Sequence, residues 1–342
     1  MDFETIATRA VERLPVPDGV ARRGIAHMVA RARRRLGDDR CPDRDAAFAA
    51  AMATRPIAEF TDQANLQHYA LPAAFFTQVL GPHLKYSSCF YERGGETLLE
   101  AEERALTLTE EHADIADDQR ILELGCGWGS LSFWLATRFP KAEITAVSNS
   151  PSQRKFIEEA AAARGVRNLR IVTADINGFE PDGRFDRIVS VEMFEHAANW
   201  KKLFQRLHRW VAPDGKLFFH VFSHVSVPYR FDHEDPANWI AQHFFTGGIM
   251  PSHGLVRAFD DVFEVEQEWR WSGIHYARTA EAWLDNFDCN RAAIMDVLRP
   301  VYGDDAVLWA RRWRLFFLSV AGLFADDQGA TWGVSHYRCQ PV

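Results

Sequence analysis

Residues 120–130 read RILELGCGWGS. A short apolar run enters three alternate glycines, Gly125, Gly127 and Gly129, and leaves into the helical pattern "SLSFWLATRF". Glycines at such a strand-to-helix junction let the chain turn tightly and bring backbone close to a ligand at the helix N-terminus. That is the opening unit of a doubly wound sheet.

The same rhythm repeats downstream. "EITAVSNS", "LRIVTADI", "FDRIVSVEMF" and "GKLFFHVFSH" have strand character, separated by the helical stretches "SPSQRKFIEEAAAARG" and "NWKKLFQRLHRWVAPDG". Strands alternating with helices predict an α/β fold, a doubly wound and mostly parallel sheet covered on both faces. After residue 225 comes a polar and aromatic segment, then "FEVEQEWRW", a long helical region and a last strand, "TWGVSHYRC". Two late strands behind an insertion fit a lid over about 226–260. Residues 1–75 show only helical periodicity, in "FETIATRAVERL", "GIAHMVARARRRL" and "DRDAAFAAAMA". They read as an N-terminal helical region before a domain spanning 76–342.

The 342 residues carry a net charge of −8, which argues against a nucleic-acid partner, because phosphate binding needs clustered cations. The basic run "ARRGIAHMVARARRRLGDDR" has apolar residues at helical spacing and reads as an amphipathic helix with a solvated basic face. The longest apolar run, "LFFLSVAGLFA", is shorter than the roughly 20 residues that a membrane span needs. Stable membrane insertion is therefore not expected. The N-terminus lacks an apolar signal core. Five scattered cysteines without a CxxC pair suggest reduced thiols in a cytoplasm, and no metal site.

GxGxG with an acid two residues before the first glycine, Glu123, suits S-adenosylmethionine (SAM) better than a dinucleotide. Gly125 and Gly127 would meet the ligand. The second strand ends with Asn149 and Gln153, placed for the ribose hydroxyls. The third ends with Asp175, which can accept from the adenine amino group, and Ile176, which can pack on the ring. Val191, at the end of the fourth strand, joins this cofactor set.

These motifs, together with "LKYSSCFYE", "DRIVSVEMFEH", "HFFTGGIMPS" and "IHYARTAEAWL", resemble the cyclopropane-fatty-acid synthase family of SAM-dependent methyltransferases. Within it the chain is most similar to the coclaurine N-methyltransferase-like branch, from about residue 65 onward. The resemblance implies a class I, Rossmann-like sheet of seven strands, SAM as cofactor, and closure of Tyr86 and Ser87 over it. It implies an N-methyltransferase acting on a small aromatic amine, with a homodimer compatible. The alternative is cyclopropane-synthase-type methylation of an unsaturated acyl chain.

Residues 190–196, SVEMFEH, separate the two. The lipid branch has glycine where this chain has Glu192. By resemblance, Glu192, Glu195 and His196 are the acidic pair and histidine of amine methylation. Carboxylates can hold an ammonium, and a neighbouring base can take its proton. The lipid branch instead binds bicarbonate. Its ligand positions correspond here to Ser88, Glu195, His220 and Tyr276, with the cysteine displaced to Cys89. A reactive cysteine of its late helix corresponds to Val320. His220, Tyr276, Trp313 and Phe317 are expected around the substrate, where aromatic rings favour a cation.

Overall fold

The computed structural model describes residues 12–14, 16–38, 43–59, 71–234 and 238–342. The helix expected over "FETIATRAVERL" lies outside them except for Glu12–Leu14. Helix α1 (Asp18–Asp38) buries Ala21, Ile25 and Val29 at i, i+4 and i+8, as an amphipathic helix should. Part of its basic face meets acids: Arg22 pairs with Glu281 and Arg33 with Asp326. Helix α2 (Arg44–Met52) and α3 (Ala73–Val79) follow. Helix α4 (Leu98–His112) starts with a capping box: the Glu100 amide donates to the Thr97 hydroxyl, and the Glu100 carboxylate accepts from the Thr97 amide.

The core then alternates: β1 (Arg120–Leu124), α5 (Ser130–Arg138), β2 (Glu143–Ser148), α6 (Pro151–Arg164), β3 (Leu169–Thr173), β4 (Phe185–Val191), α7 (Trp200–Trp210) and β5 (Val211–His224). A small antiparallel pair, β6 (Tyr229–Arg230) and β7 (Ile249–Met250), encloses the short α8 (Trp239–His243). Next come β8 (Phe263–Ser272), α9 (Gly273–Cys289), α10 (Arg291–Tyr302), α11 (Ala306–Phe324) and β9 (Trp332–Pro341).

Seven strands form one sheet in the order β3-β2-β1-β4-β5-β9-β8. β9 runs antiparallel to both neighbours, and the other pairings are parallel. The order reverses between β1 and β4, so the crevice for a ligand lies beyond the C-terminal ends of those strands. One face is sealed by α7 through Leu203, Phe204 and Leu207, the other by Leu131 and Leu135 of α5 with Leu106 of α4.

A helical layer built from α1, α3, α9, α10 and α11 packs around Phe75, Phe76, Trp283, Phe287, Trp313 and Phe317, all nearly fully buried. Each such ring contributes on the order of 2–3 kcal/mol by leaving water. This layer is joined to the sheet at the end of β4, where Tyr276 of α9 meets Glu192.

Candidate active site

The turn after β1 puts Gly125 and Gly127 at φ +81° and +53°, a region other L-residues rarely occupy. A Cβ on Gly125 would strike Met193, whereas a Cβ on Gly127 would point into open space. That space is a cavity walled by Gly125, Gly127, Asn149, Gln153, Asp175 and Ile176, the strand-end residues expected to bind cofactor. The Gln153 carbonyl oxygen accepts from the Ser148 hydroxyl (2.6 Å), while its buried amide nitrogen has no partner among the described residues. An unpaired buried donor beside an open cavity suits a ligand with acceptor oxygens, such as ribose hydroxyls. Glu123 lies beneath the turn instead. It accepts from Ser132 of α5 (2.5 Å), and burial pushes its pKa up to about 7.

The chain leaves β4 through Glu192 at φ +48°, a strained left-handed conformation for a residue with a side chain. This bend, followed by one tight turn at Phe194–His196, sends three side chains in different directions. The Glu192 carboxylate accepts from the Ser88 amide (2.9 Å), His220 Nε2 (3.1 Å) and the Tyr276 hydroxyl (2.6 Å). Burial opposes its charge. The His220 bond, the buried Lys85 ammonium and the Tyr276 bond outweigh that and hold the carboxyl below the usual range. Glu195 is fully buried. One oxygen accepts from the Phe222 amide (2.7 Å), and the other has no partner among the described residues. Burial and then the Glu192 charge push its pKa well up.

His196 lines both the strand-end cavity and a second cavity beside it. Burial lowers its pKa to about 4 against a small opposing pull from Glu192, so the imidazole is neutral at physiological pH. The second cavity is walled mainly by apolar side chains, with one carboxylate and one imidazole, the make-up of a small-molecule site. Eight of its fourteen lining residues are aromatic: Tyr86, Phe222, Phe231, Phe245, Tyr276, Trp283, Phe316 and Phe324. Among the described residues, Glu192 is the sole carboxylate in its wall.

The structure redistributes several expected roles. Tyr86 lines the aromatic cavity, not the strand-end one. Ser87 is buried and accepts from Lys85 Nζ (2.6 Å). Val191 packs with the α4–α5 face of the sheet and lines neither cavity. Glu195 also lines neither. His220 stands behind Glu192 and outside the wall, whereas Tyr276 is part of it. Trp313 and Phe317, expected at the substrate, are both 0% exposed in the helical core. Their neighbours Phe316, Val320 and Leu323, on an adjoining stripe of α11, form the wall together with Phe324. The C-terminal half of this helix, from Leu315 on, is apolar apart from Ser319, so its periodicity cannot say which stripe faces the cavity. The Cys89 thiol, pushed up to about 12 by burial, donates to the Ser87 carbonyl, while the preceding Ser88 amide reaches Glu192.

Lys85, Glu59, Met193, Arg230 and Phe222 escaped the sequence reading. Lys85 is an ordinary loop lysine until the fold buries it and aims it at Ser87 and the Ser88 carbonyl. Glu59 and Met193 join the strand-end cavity, and Arg230 of β6 binds Glu59 (2.7 Å), tying β6 to that cavity. Phe222 carries both the Glu195 contact and part of the aromatic wall.

Residues 59–331 match the sequence profile of the family described as mycolic acid cyclopropane synthetase. An (S)-coclaurine N-methyltransferase of Thalictrum flavum subsp. glaucum is 34% identical over 285 residues, 82% of this chain and 79% of that protein. The crystal structure of a coclaurine N-methyltransferase bound to N-methylheliamine and SAH superimposes with a TM-score of 0.92 at 31% identity, covering 97% of this chain and 98% of that one. A Mycobacterium tuberculosis cyclopropane synthase shares the fold, with a TM-score of 0.70 at 22% identity over 82% of this chain and 98% of that one.

Proposed function

This chain belongs to the mycolic acid cyclopropane synthetase family, and within it we propose that it is a SAM-dependent N-methyltransferase for a small aromatic amine. One observation carries the choice of nitrogen over alkene. The Ser88 amide, His220 and Tyr276 occupy positions that resemblance assigns to bicarbonate in the lipid branch, and here all three bind the Glu192 carboxylate. The protein supplies its own anion at the end of an aromatic cavity. An ammonium gains an ion pair and ring contacts there, and an alkene gains neither.

Gly125, Gly127, Asn149, Gln153, Asp175 and Ile176 would hold SAM, which supplies an already activated methyl group. The protein's task is then to position the nitrogen and manage its protons. Glu192 holds the incoming ammonium and takes the proton it must lose before attack. His196, neutral and set between the two cavities, takes the proton shed after methylation. Glu195, largely in its neutral form, positions the Phe222 backbone and does not touch substrate. The segment 226–260 acts as the lid of a domain running over 76–342, since Phe231, Ile240, Phe245 and Met250 form one cavity wall. Among the described residues, no helix is long and apolar enough to cross a membrane.

The test is a SAM-dependent assay across aryl and alkyl amines and unsaturated phospholipids, with products identified by mass. Turnover on tetrahydroisoquinoline-type amines and none on phospholipid is expected. Acyl-chain methylation without amine methylation overturns the reading.

A further inference from the structure

A line of three histidines runs from the Glu192 carboxylate to the far end of α4. His220 Nε2 is 3.1 Å from Glu192, His220 Nδ1 is 2.9 Å from His336 Nε2, and His336 Nδ1 is 2.9 Å from His112 Nδ1. The line follows from strand register: His220 of β5 lies directly opposite His336 of β9, which lies opposite Trp269 of β8. His112, in the last turn of α4, stacks flat on Trp269 with ring centroids 3.8 Å apart. Trp271 and Phe218 close over His336 at 4.2 Å and 5.2 Å. His220 is 1% exposed and His336 0%, while His112 is half-buried at the end of its helix.

We propose that Glu192, His220, His336 and His112 form a proton outlet that carries the substrate ammonium's proton from the aromatic cavity to water. The proposal rests on the N-methyltransferase reading, because only a basic amine brings a proton that must leave before attack. The substrate N–H bond breaks and an O–H bond forms at Glu192. From the alternate tautomer, with each ring's proton on its outward nitrogen, Glu192 passes the proton to His220 Nε2 as His220 Nδ1–H goes to His336 Nε2 and His336 Nδ1–H goes to His112 Nδ1. His112 then releases its Nε2 proton to water. Each ring gains one proton and loses one, and Glu192 returns to a carboxylate. The transfer leaves each proton on the inward nitrogen, the arrangement in which Glu192 accepts from His220 Nε2, and a tautomer shift in each ring readies the line again.

Two further facts fit. The environment that keeps Glu192 ionised makes it a poor resting place for a proton, so turnover needs somewhere to send it. The three imidazoles are kept neutral, chiefly by burial. Around His220 stand Glu192 and Lys85; around His336 stand His220, His112 and Lys85; around His112 stand Arg338 and Arg104. The cations oppose a trapped imidazolium, and Glu192 at the inner end favours one only at His220. Neutral rings carry a proton through without holding it.

The test uses His336→Gln, which keeps hydrogen-bonding capacity but cannot relay. Single-turnover rates are measured for a strongly basic amine and for a weakly basic one that arrives neutral, both near neutral pH. We expect the strongly basic amine to slow by roughly 10²-fold, the lower range for a lost proton-transfer group, with the weakly basic one changed less than about threefold. The gap should close as pH rises and the basic amine arrives deprotonated. Equal slowing of both amines, or of neither, overturns the outlet. Should His336→Gln misfold, His112→Ala at the half-buried end gives the second reading: slowing for the basic amine that added imidazole restores supports the outlet, and an unslowed or unrescued variant overturns it. Failure of the underlying function looks different, since the wild-type protein would then methylate no amine at all.

Discussion

Glu192 and Glu195 stand three residues apart on one turn and are driven toward opposite protonation states, Glu192 toward the anion and Glu195 toward the neutral acid. The difference lies in their partners. Glu192 has three donors and a nearby ammonium, whereas Glu195 has one backbone amide and the repulsion of its neighbour. Two carboxyls whose environments push them apart in this way can take separate roles.

Glu192→Gln keeps the shape and removes the charge. The expected outcome is a loss of at least about 10²-fold in kcat/KM for basic amines. Melting temperature should stay within about 5 °C, because Tyr276 can accept from the new amide. Steady-state kinetics with thermal melts check this, and wild-type efficiency would remove Glu192 from the mechanism.

His196→Ala should slow single-turnover chemistry by about 10²–10⁴-fold while SAM affinity changes little. With its pKa lowered to about 4, His196 loses its ability to accept a proton only in strongly acidic solution. The wild-type acid limb should therefore lie below the pH of an unperturbed histidine and flatten in the variant. Normal turnover in a variant that merely melts lower would make His196 a packing residue.

Gly127→Val should abolish SAM binding in calorimetric titration. The valine would adopt φ +53° only under strain, and its side chain would enter the strand-end cavity. Unchanged affinity would move the cofactor elsewhere.

Phe316→Ala and Phe317→Ala should separate wall from core. Phe317, 0% exposed, should cost about 3–5 kcal/mol of stability on truncation. Phe316 should mainly raise KM for bulky amines. The reverse pattern, read by denaturant unfolding and kinetics, would place Phe317 at the cavity and Phe316 in the core.

Adjacent residues of α11 thus have separate fates, and this marks where sequence reading stops. The parallel sheet, the glycine turn and the strand-end residues were legible because period-2 runs and glycines at junctions have few physical readings. Glu192 stood out as a charge at the end of a buried strand, and the role proposed for it came from the resemblance. The resemblance also grouped Ser88, His220 and Tyr276, but around a bicarbonate. They come from a loop, a strand and a helix far apart in sequence, and only tertiary packing shows that all three meet the Glu192 carboxylate. The histidine line is equally silent in one dimension, since it depends on the pairing of β5 with β9.

The two glutamates should also give stability opposite dependences on pH. Glu192, its folded pKa depressed, contributes stability that is present above the unfolded carboxyl pKa and is lost as pH falls through the folded value. Glu195, its folded pKa raised, contributes stability that is present below the unfolded value, about 4.3, and is lost as pH rises toward the folded one. Glu195→Gln keeps a neutral acceptor for the Phe222 amide and has no charge to bury. Its stability relative to wild type should therefore improve as pH climbs from acid through neutral, then level off above the folded pKa. Glu192→Gln should behave in the other sense: closest to wild type in acid, with its deficit growing as pH rises from the folded pKa to the unfolded one and level above it. Urea unfolding of both variants and wild type across the pH range measures the two slopes. Parallel slopes of the same sign would mean that the two carboxyls share one protonation state, and the division of labour between them would fail.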